Sequence, residues 1–189
     1  MKILAVQSRM GIGDTVIFLP FIKALSKKFN SPISILVKEN SKANQYLHQT
    51  KYIDKILTLE RDNKTNNRHG GFFGIFKLAN DLKKYKFDKI FIFNSSLRFN
   101  LVAKISGIPQ IYQYPLFSKN KQHIIEAPKK FLKKNLDLDI NEDPEVQIDS
   151  NLISNAAQKF QIDKNTTNIL LGIGGSGPTK RIPAKTFLS

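Results

Sequence analysis

The chain has 189 residues, 41% of them hydrophobic and 24% charged, with 10 Gly, 8 Pro and no Cys. That is room for one ordinary domain, or one domain and part of another. The balance is globular, which excludes disordered, collagen-like and disulfide-scaffold classes, and the lack of cysteine excludes disulfides, thiolate-bound zinc and a cysteine nucleophile.

Near the start the longest apolar run is Ile3–Val6, too short for the apolar region of a signal peptide. No stretch approaches the roughly 18–20 apolar residues of a membrane span. The sequence therefore reads as soluble and cytoplasmic. Its charge is unusual: 30 Lys+Arg against 15 Asp+Glu, a net +15. Residues 1–136 hold 25 bases and 8 acids, whereas residues 137–149 hold six acids and no base. A field of that size attracts polyanions such as nucleic acid, an anionic membrane leaflet or a phosphorylated glycolipid. Only five of the bases are Arg, although base-edge contacts favour Arg.

The chain alternates strand and helix patterns. Residues 2–7 form a short buried strand, followed by a loop and a helix from Asp14 to about Phe29. Pro20, inside that helix, is expected to kink or restart it. A second strand is expected over Ile33–Val37, a short helix capped by Ser41 runs to Leu47, and Lys55–Leu59 is a third strand. Residues 60–71 are polar with a Gly-Gly end and read as an exposed loop. A helix over about 72–85 leads to a strand at Lys89–Phe93. Ser95 or Ser96 then caps a helix to about Ser106, ended by Gly107. Ile111–Tyr114 is a fifth strand, and Glu126–Asn135 a helix.

The acidic run 137–149 reads as a linker closing a first domain at about residue 145. A second unit spans 150–189, with a helix near 150–160, a strand at Thr167–Ile173 and a helix starting at Pro183. Repeated strand–helix units imply an α/β fold, a Rossmann-like parallel sheet with helices on both faces. The second unit has too few elements to bury its own apolar faces, so the chain is expected to be truncated at Ser189.

Two glycine-rich turns carry the candidate chemistry. The first, SRMGIGDTV (residues 8–16), sits where a dinucleotide fingerprint would, with Glu39 after the second strand as a candidate ribose-binding acid. A third glycine is missing, since position 16 is Val, and Asp14 would compete with a pyrophosphate for the helix N-terminus. Asp14 is thus either an N-cap or a general base at the sheet edge where open α/β folds bind ligands.

The second turn, IGGSGPTKR (residues 173–181), fails as a P-loop because Pro178 and Thr179 stand where Lys and Ser/Thr are needed. It fails as a nucleophile elbow because Pro178 replaces the final glycine. What remains is an anion nest: Ser176, Gly177, Thr179 and Lys180 before a helix start. Ser95, Ser96 and Arg98 open a helix on the same sheet edge as Asp14 and are candidates for an anionic group. Asp137-Leu138-Asp139 matches a two-residue metal pattern but lies in the acidic run, and no metal site is expected.

Three segments in order resemble glycosyltransferase family 9, the lipopolysaccharide heptosyltransferases. They are MKILAVQSRMGIGDTVIFLPFIKAL, with Gly13-Asp14, Leu19-Pro20 and Ala24-Leu25; KFDKIFIFNSSLRFNLVAKISGIPQIYQY; and ILLGIGGSGPTKRIPAKTF. Ile182 stands where the family carries Trp, and Gln7 where several members carry a base.

The resemblance implies the N-terminal half of a GT-B two-domain fold. It also implies an inverting, metal-independent transfer of a heptose or related sugar from a nucleotide sugar such as ADP-heptose, a substrate rather than a cofactor. The acceptor would be a lipopolysaccharide core or another anionic glycan or glycolipid, reached by peripheral association with the inner membrane leaflet. Asp14 then becomes the base. Ser176, Gly177, Thr179 and Lys180 hold the donor diphosphate, and Gly13, Arg9, Ser95, Ser96 and Arg98 lie toward the acceptor. The alternatives are a non-enzymatic basic module binding nucleic acid and a dinucleotide-binding Rossmann domain; no specific nucleic-acid motif is present.

Overall fold

The computed structural model describes residues 1–9, 11–61, 67–116, 123–163, 165–170 and 183–187. Two compact units divide at residue 148. The first holds five strands: β1 (Ile3–Val6), β2 (Ile33–Lys38), β3 (Ile53–Leu59), β4 (Lys89–Ile92) and β5 (Gln110–Gln113). They form one sheet in the order β3-β2-β1-β4-β5, and every neighbouring pair is parallel. The helices of this unit are α1 (Ile12–Phe29), a single turn α2 (Ala43–Tyr46), α3 (Phe73–Lys83), α4 (Leu97–Ile105) and α5 (Glu126–Leu136).

The strands are apolar throughout because both sheet faces are covered. Successive residues of β1 feed two separate cores. Ile3 and Ala5 pack with Phe18, Leu19 and Ile22 of α1 and with Phe131 and Leu132 of α5. Leu4 and Val6 pack with Ile75, Leu78 and Leu82 of α3 and with Phe99 and Val102 of α4. The layers α1/α5 and α3/α4 therefore lie on opposite faces.

Most expected elements appear with ends moved by one to three residues. Pro20 does not break its helix: α1 runs unbroken from Ile12 to Phe29. A proline in a helix interior costs roughly 3 kcal/mol, but Phe18, Leu19, Phe21 and Ile22 around it are all buried against the sheet. That packing outweighs the missing donor. Asn30, in the left-handed region at φ 47°, ends the helix, and the Ser31 N–H closes back on the Ser26 carbonyl at 3.2 Å.

The acidic run is packed against the first unit rather than standing free as a linker. Residues 137–148 have no helix or strand, yet Ile140 is buried in the α1/α5 core. Glu142 pairs with Lys23 at 3.2 Å and with Lys27, and Glu145 pairs with Lys23 at 3.6 Å. The Lys51 N–H donates to Gln147 Oε1 at 3.0 Å. Composition marked the segment as charged, but the partners of Glu142 and Glu145, Lys23 and Lys27, are more than a hundred positions away in sequence.

The second unit contains α6 (Ser150–Lys159), capped by Asp149, whose carboxylate accepts from the Asn151 N–H at 2.7 Å, and α7 (Ala184–Phe187). The strand expected at Thr167–Ile173 is not seen at Thr167–Leu170, and its remaining residues lie outside the described ones.

Candidate active site

The chain leaves β1 into α1 on one face of the sheet and leaves β4 into α4 on the other. The β1/β4 boundary is thus the topological switch point, where loops diverge and open α/β sheets hold ligands beyond the strand C-termini. Gln7, Ser8 and Arg9 follow β1 there; Phe93 through Ser96 follow β4.

Neutral side chains knit these strand ends together. Asn94 Nδ2 donates to Ser8 Oγ at 2.7 Å, bridging the switch point, while Asn94 Oδ1 accepts from the Ser96 N–H at 2.6 Å. From β5, Gln113 Nε2 donates to the carbonyls of Asn94 and Ser96 at 3.0 and 2.9 Å. Gln113 Oε1 in turn accepts from Asn100 Nδ2 at 2.9 Å. On the β1 side, buried Gln7 accepts from the Arg9 N–H through Oε1 at 2.9 Å and donates through Nε2 to the Asp14 carbonyl at 3.3 Å. One side chain thereby fixes both the loop and the start of α1.

Asp14 lies in the first turn of α1, half-buried. The N-cap reading is corrected: the helix begins at Ile12, Gly11 is the N-cap, and no side chain caps it. Asp14, the third helical residue, could cap only by reaching back, and it makes no such bond. Instead its Oδ2 leans toward Gly11, 3.6 Å from where a Cβ on that glycine would stand. Gly11 has φ 109° and ψ 156°, a conformation essentially restricted to glycine. The turn that presents Asp14 therefore requires glycine. The carboxylate has no ion-pair or hydrogen-bond partner among the described residues and sits at the positive end of the helix dipole.

Of the other expected site residues, Gly13 is exposed in the same turn with open space beside it. Arg9 is exposed in the loop. Its charge reaches Tyr114, whose phenol is pushed up by burial and drawn partly back by Arg9. Ser96 caps α4, accepting from the Arg98 N–H at 3.3 Å, and Ser95 is half-buried beside it.

Arg98 faces elsewhere. Its guanidinium donates to the carbonyls of Gly71 (2.7 Å) and His69, tying α4 to the turn before α3. That turn is a built structure of its own. Buried His69 accepts the Glu60 N–H on Nδ1 at 3.1 Å and meets Asp81 through Nε2 at 3.2 Å. Burial raises the Asp81 carboxyl, but hydrogen bonds from His69 and Lys84 and the Arg68 charge bring it below its ordinary value.

Asp137 and Asp139 both engage Lys133, at 2.9 and 2.6 Å. Glu39 opens a single 3-10 turn after β2. Ser176, Gly177, Thr179 and Lys180 lie outside the described residues. Sequence reading passed over Ser8, Asn94 and Gln113 as site residues and noted Gln7 only as a departure. The available signal was a polar residue at or just past the end of each buried strand of a parallel sheet.

No protein-family model matches the chain, and no curated protein matches it. Solved structures do. A family 9 glycosyl transferase from Veillonella parvula is 19% identical, with a TM-score of 0.75 over 98% of this chain and 57% of its own. E. coli ADP-heptose lipopolysaccharide heptosyltransferase II is 15% identical, with a TM-score of 0.58 over 87% of this chain and 52% of its own. E. coli heptosyltransferase WaaC, solved with ADP-2-deoxy-2-fluoro heptose, is 12% identical at a TM-score of 0.51, over 75% of this chain and 50% of its own. The chain has the α/β fold of these glycosyltransferases and spans about half the length of each.

Proposed function

We propose that the protein is a glycosyltransferase that moves a heptose or related sugar from a nucleotide-sugar donor, of the ADP-heptose kind, to a hydroxyl of an anionic glycan or glycolipid. The first unit is the acceptor side. One observation carries the reading: a carboxylate, Asp14, with no partner among the described residues, stands beside the switch point of a fold shared with family 9 glycosyltransferases.

The acceptor hydroxyl attacks the anomeric carbon of the donor sugar while Asp14 takes its proton. The bond from that carbon to the diphosphate oxygen breaks, and the nucleoside diphosphate leaves with the electron pair. A single displacement inverts the anomeric centre. No metal is invoked, because the leaving diphosphate is assigned to cationic and N–H groups of the turn around Ser176, Gly177, Thr179 and Lys180. Gly13, Arg9, Ser95 and Ser96 border the acceptor; Arg98 is left out because its guanidinium holds the turn at His69 and Gly71.

The test is transfer from ADP-heptose by the full-length protein. Asp14→Asn retains the side chain's shape but cannot accept a proton, so kcat falls by roughly 10²–10⁴-fold, with donor KM and the circular dichroism spectrum unchanged. Transfer at the parent rate by Asp14→Asn refutes the assigned base.

A further inference from the structure

Helices α3 and α4 lie side by side on one face of the sheet. Arg98 at the start of α4 holds the turn before α3, and Ser106 Oγ at its end donates to the Ala79 carbonyl of α3 at 3.1 Å. Their inner faces fill a core with Ile75, Leu78, Leu82, Phe99 and Val102. The outer faces are not polar, as a solvated layer would be. Phe72, Phe73 and Phe76 are 69%, 77% and 48% exposed. They form an aromatic cluster, with Phe72 5.7 Å from Phe76 and 6.0 Å from Phe73 between ring centroids. On α4, Leu97, Leu101 and Ile105 repeat at helical spacing and are each more than a third exposed.

The charge beside this surface has one sign. Lys77 and Lys83 continue the exposed face of α3, and Lys104 stands beside Ile105. None of the three has an acidic partner among the described residues. The one acid of the two helices, Asp81, is engaged by Arg68, His69 and Lys84. Exposed aromatics with unpaired lysines, and no counter-charge, match the headgroup boundary of an anionic bilayer: rings enter the acyl edge while ammonium groups stay at the phosphates. A second copy of the chain seated on the same face would set these lysines against their own kind, like charge on like. No helix among the described residues is long and apolar enough to cross a membrane, so the contact is peripheral.

We propose that the outer face of α3 and α4, led by Phe72, Phe73 and Phe76, docks the protein onto an anionic lipid surface. The N-terminal turns of α1, α3 and α4 share the sheet edge that carries Asp14. Docking through the phenylalanines therefore brings that edge to the membrane, where a glycolipid acceptor resides. This consequence rests on the glycosyltransferase reading; the docking itself does not.

The experiment is co-sedimentation of the full-length protein with phosphatidylcholine vesicles, with and without phosphatidylglycerol, in the absence of any sugar nucleotide. Binding is expected only with the anionic lipid and weakens with salt. Phe73→Ser/Phe76→Ser lowers the apparent partition coefficient by about tenfold or more, and Lys77→Glu/Lys83→Glu does the same. Lys28→Glu/Lys134→Glu, an equal charge change on the opposite layer, leaves most of the binding intact. Thermal melts of all three double variants confirm folding, and Asp14→Asn binds like the parent whatever its transfer rate.

Equal binding to neutral vesicles, or parent-like binding by the folded phenylalanine variant, overturns the proposal. So does a dimer, seen by sedimentation velocity, that the phenylalanine variant abolishes without any vesicle binding by the parent; the face would then be an interface between copies of the chain.

Discussion

Gln7→Glu replaces one atom group at the centre of the strand-end network and turns its effect into a function of pH. Gln7 is 4% exposed, accepting from the Arg9 N–H at 2.9 Å and donating to the Asp14 carbonyl at 3.3 Å. A protonated carboxyl in its place reproduces both bonds, with C=O as acceptor and O–H as donor. An ionised one cannot donate. It sets an anionic oxygen against the Asp14 carbonyl, in the same turn as the Asp14 carboxylate, with the α1 N-terminus opposing. The folded state therefore favours the protonated form, and the carboxyl is raised above its unfolded value of about 4.3.

The sign follows from linkage. Below about pH 4.3 the carboxyl is protonated in both states and the substitution costs little. As pH rises through that value the unfolded chain releases the proton first, so stability falls until the folded-state value is passed, then levels off. Each unit of upward shift is worth about 1.4 kcal/mol. A buried carboxyl raised by about 2–3 units loses about 3–4 kcal/mol on the neutral plateau. Urea denaturation of parent and Gln7→Glu between about pH 4 and about pH 8 reads this directly. Gln7→Leu is the control, losing both bonds for a pH-independent cost of about 1–3 kcal/mol. A Gln7→Glu difference that stays constant across the range refutes the assigned donor and acceptor roles.

Gly74→Ala, an exchange that usually stabilises a helix by about 0.8–1 kcal/mol, is expected to destabilise this one by about 1–3 kcal/mol. A Cβ there meets the His69 carbonyl group and stands 2.9 Å from Arg98 Nη2; a rise in the urea midpoint contradicts the packing described. Ile140→Ala in the acidic run is expected to cost about 2–4 kcal/mol, because that side chain fills the α1/α5 core. Glu142→Gln, by contrast, has an effect that 1 M-range salt erases from the parent as well. A neutral Ile140→Ala in urea denaturation would return the segment to the status of a linker.

The parallel sheet was legible because both of its faces are buried. Ile3–Val6 is apolar throughout and Ile33–Val37 apolar but for Ser34, and the first run leads into the long helix α1. Helix ends set by local chemistry were equally readable: Ser96 caps α4, and Gly107 adopts φ 75° after it. The restart allowed for at Pro20 does not occur, because backbone propensity acts locally whereas the burial of Phe18, Leu19, Phe21 and Ile22 depends on a sheet assembled from distant strands. The same distance hid the role of Arg98. Its place beside Ser95 and Ser96 points to an anion, and only the fold reveals that the turn at His69 and Gly71 supplies the carbonyls it serves.

The N-cap misreading of Asp14 bears on its chemistry. A carboxylate spent on backbone donors, or paired with a cation, is a poorer proton acceptor. The neighbourhood avoids both outcomes by using amides where ions would serve. Gln7, Asn94, Asn100 and Gln113 each present a donor and an acceptor, so they satisfy one another and the loop backbone without adding charge. Gly11 meanwhile takes the N-cap position without a side chain that could compete for the same turn. Holding the loop with neutral groups leaves the Asp14 carboxylate without an ion-pair or hydrogen-bond partner among the described residues. A purely structural first turn has no need of that arrangement, since an Asp or Ser at position 11 would cap the helix at lower conformational cost.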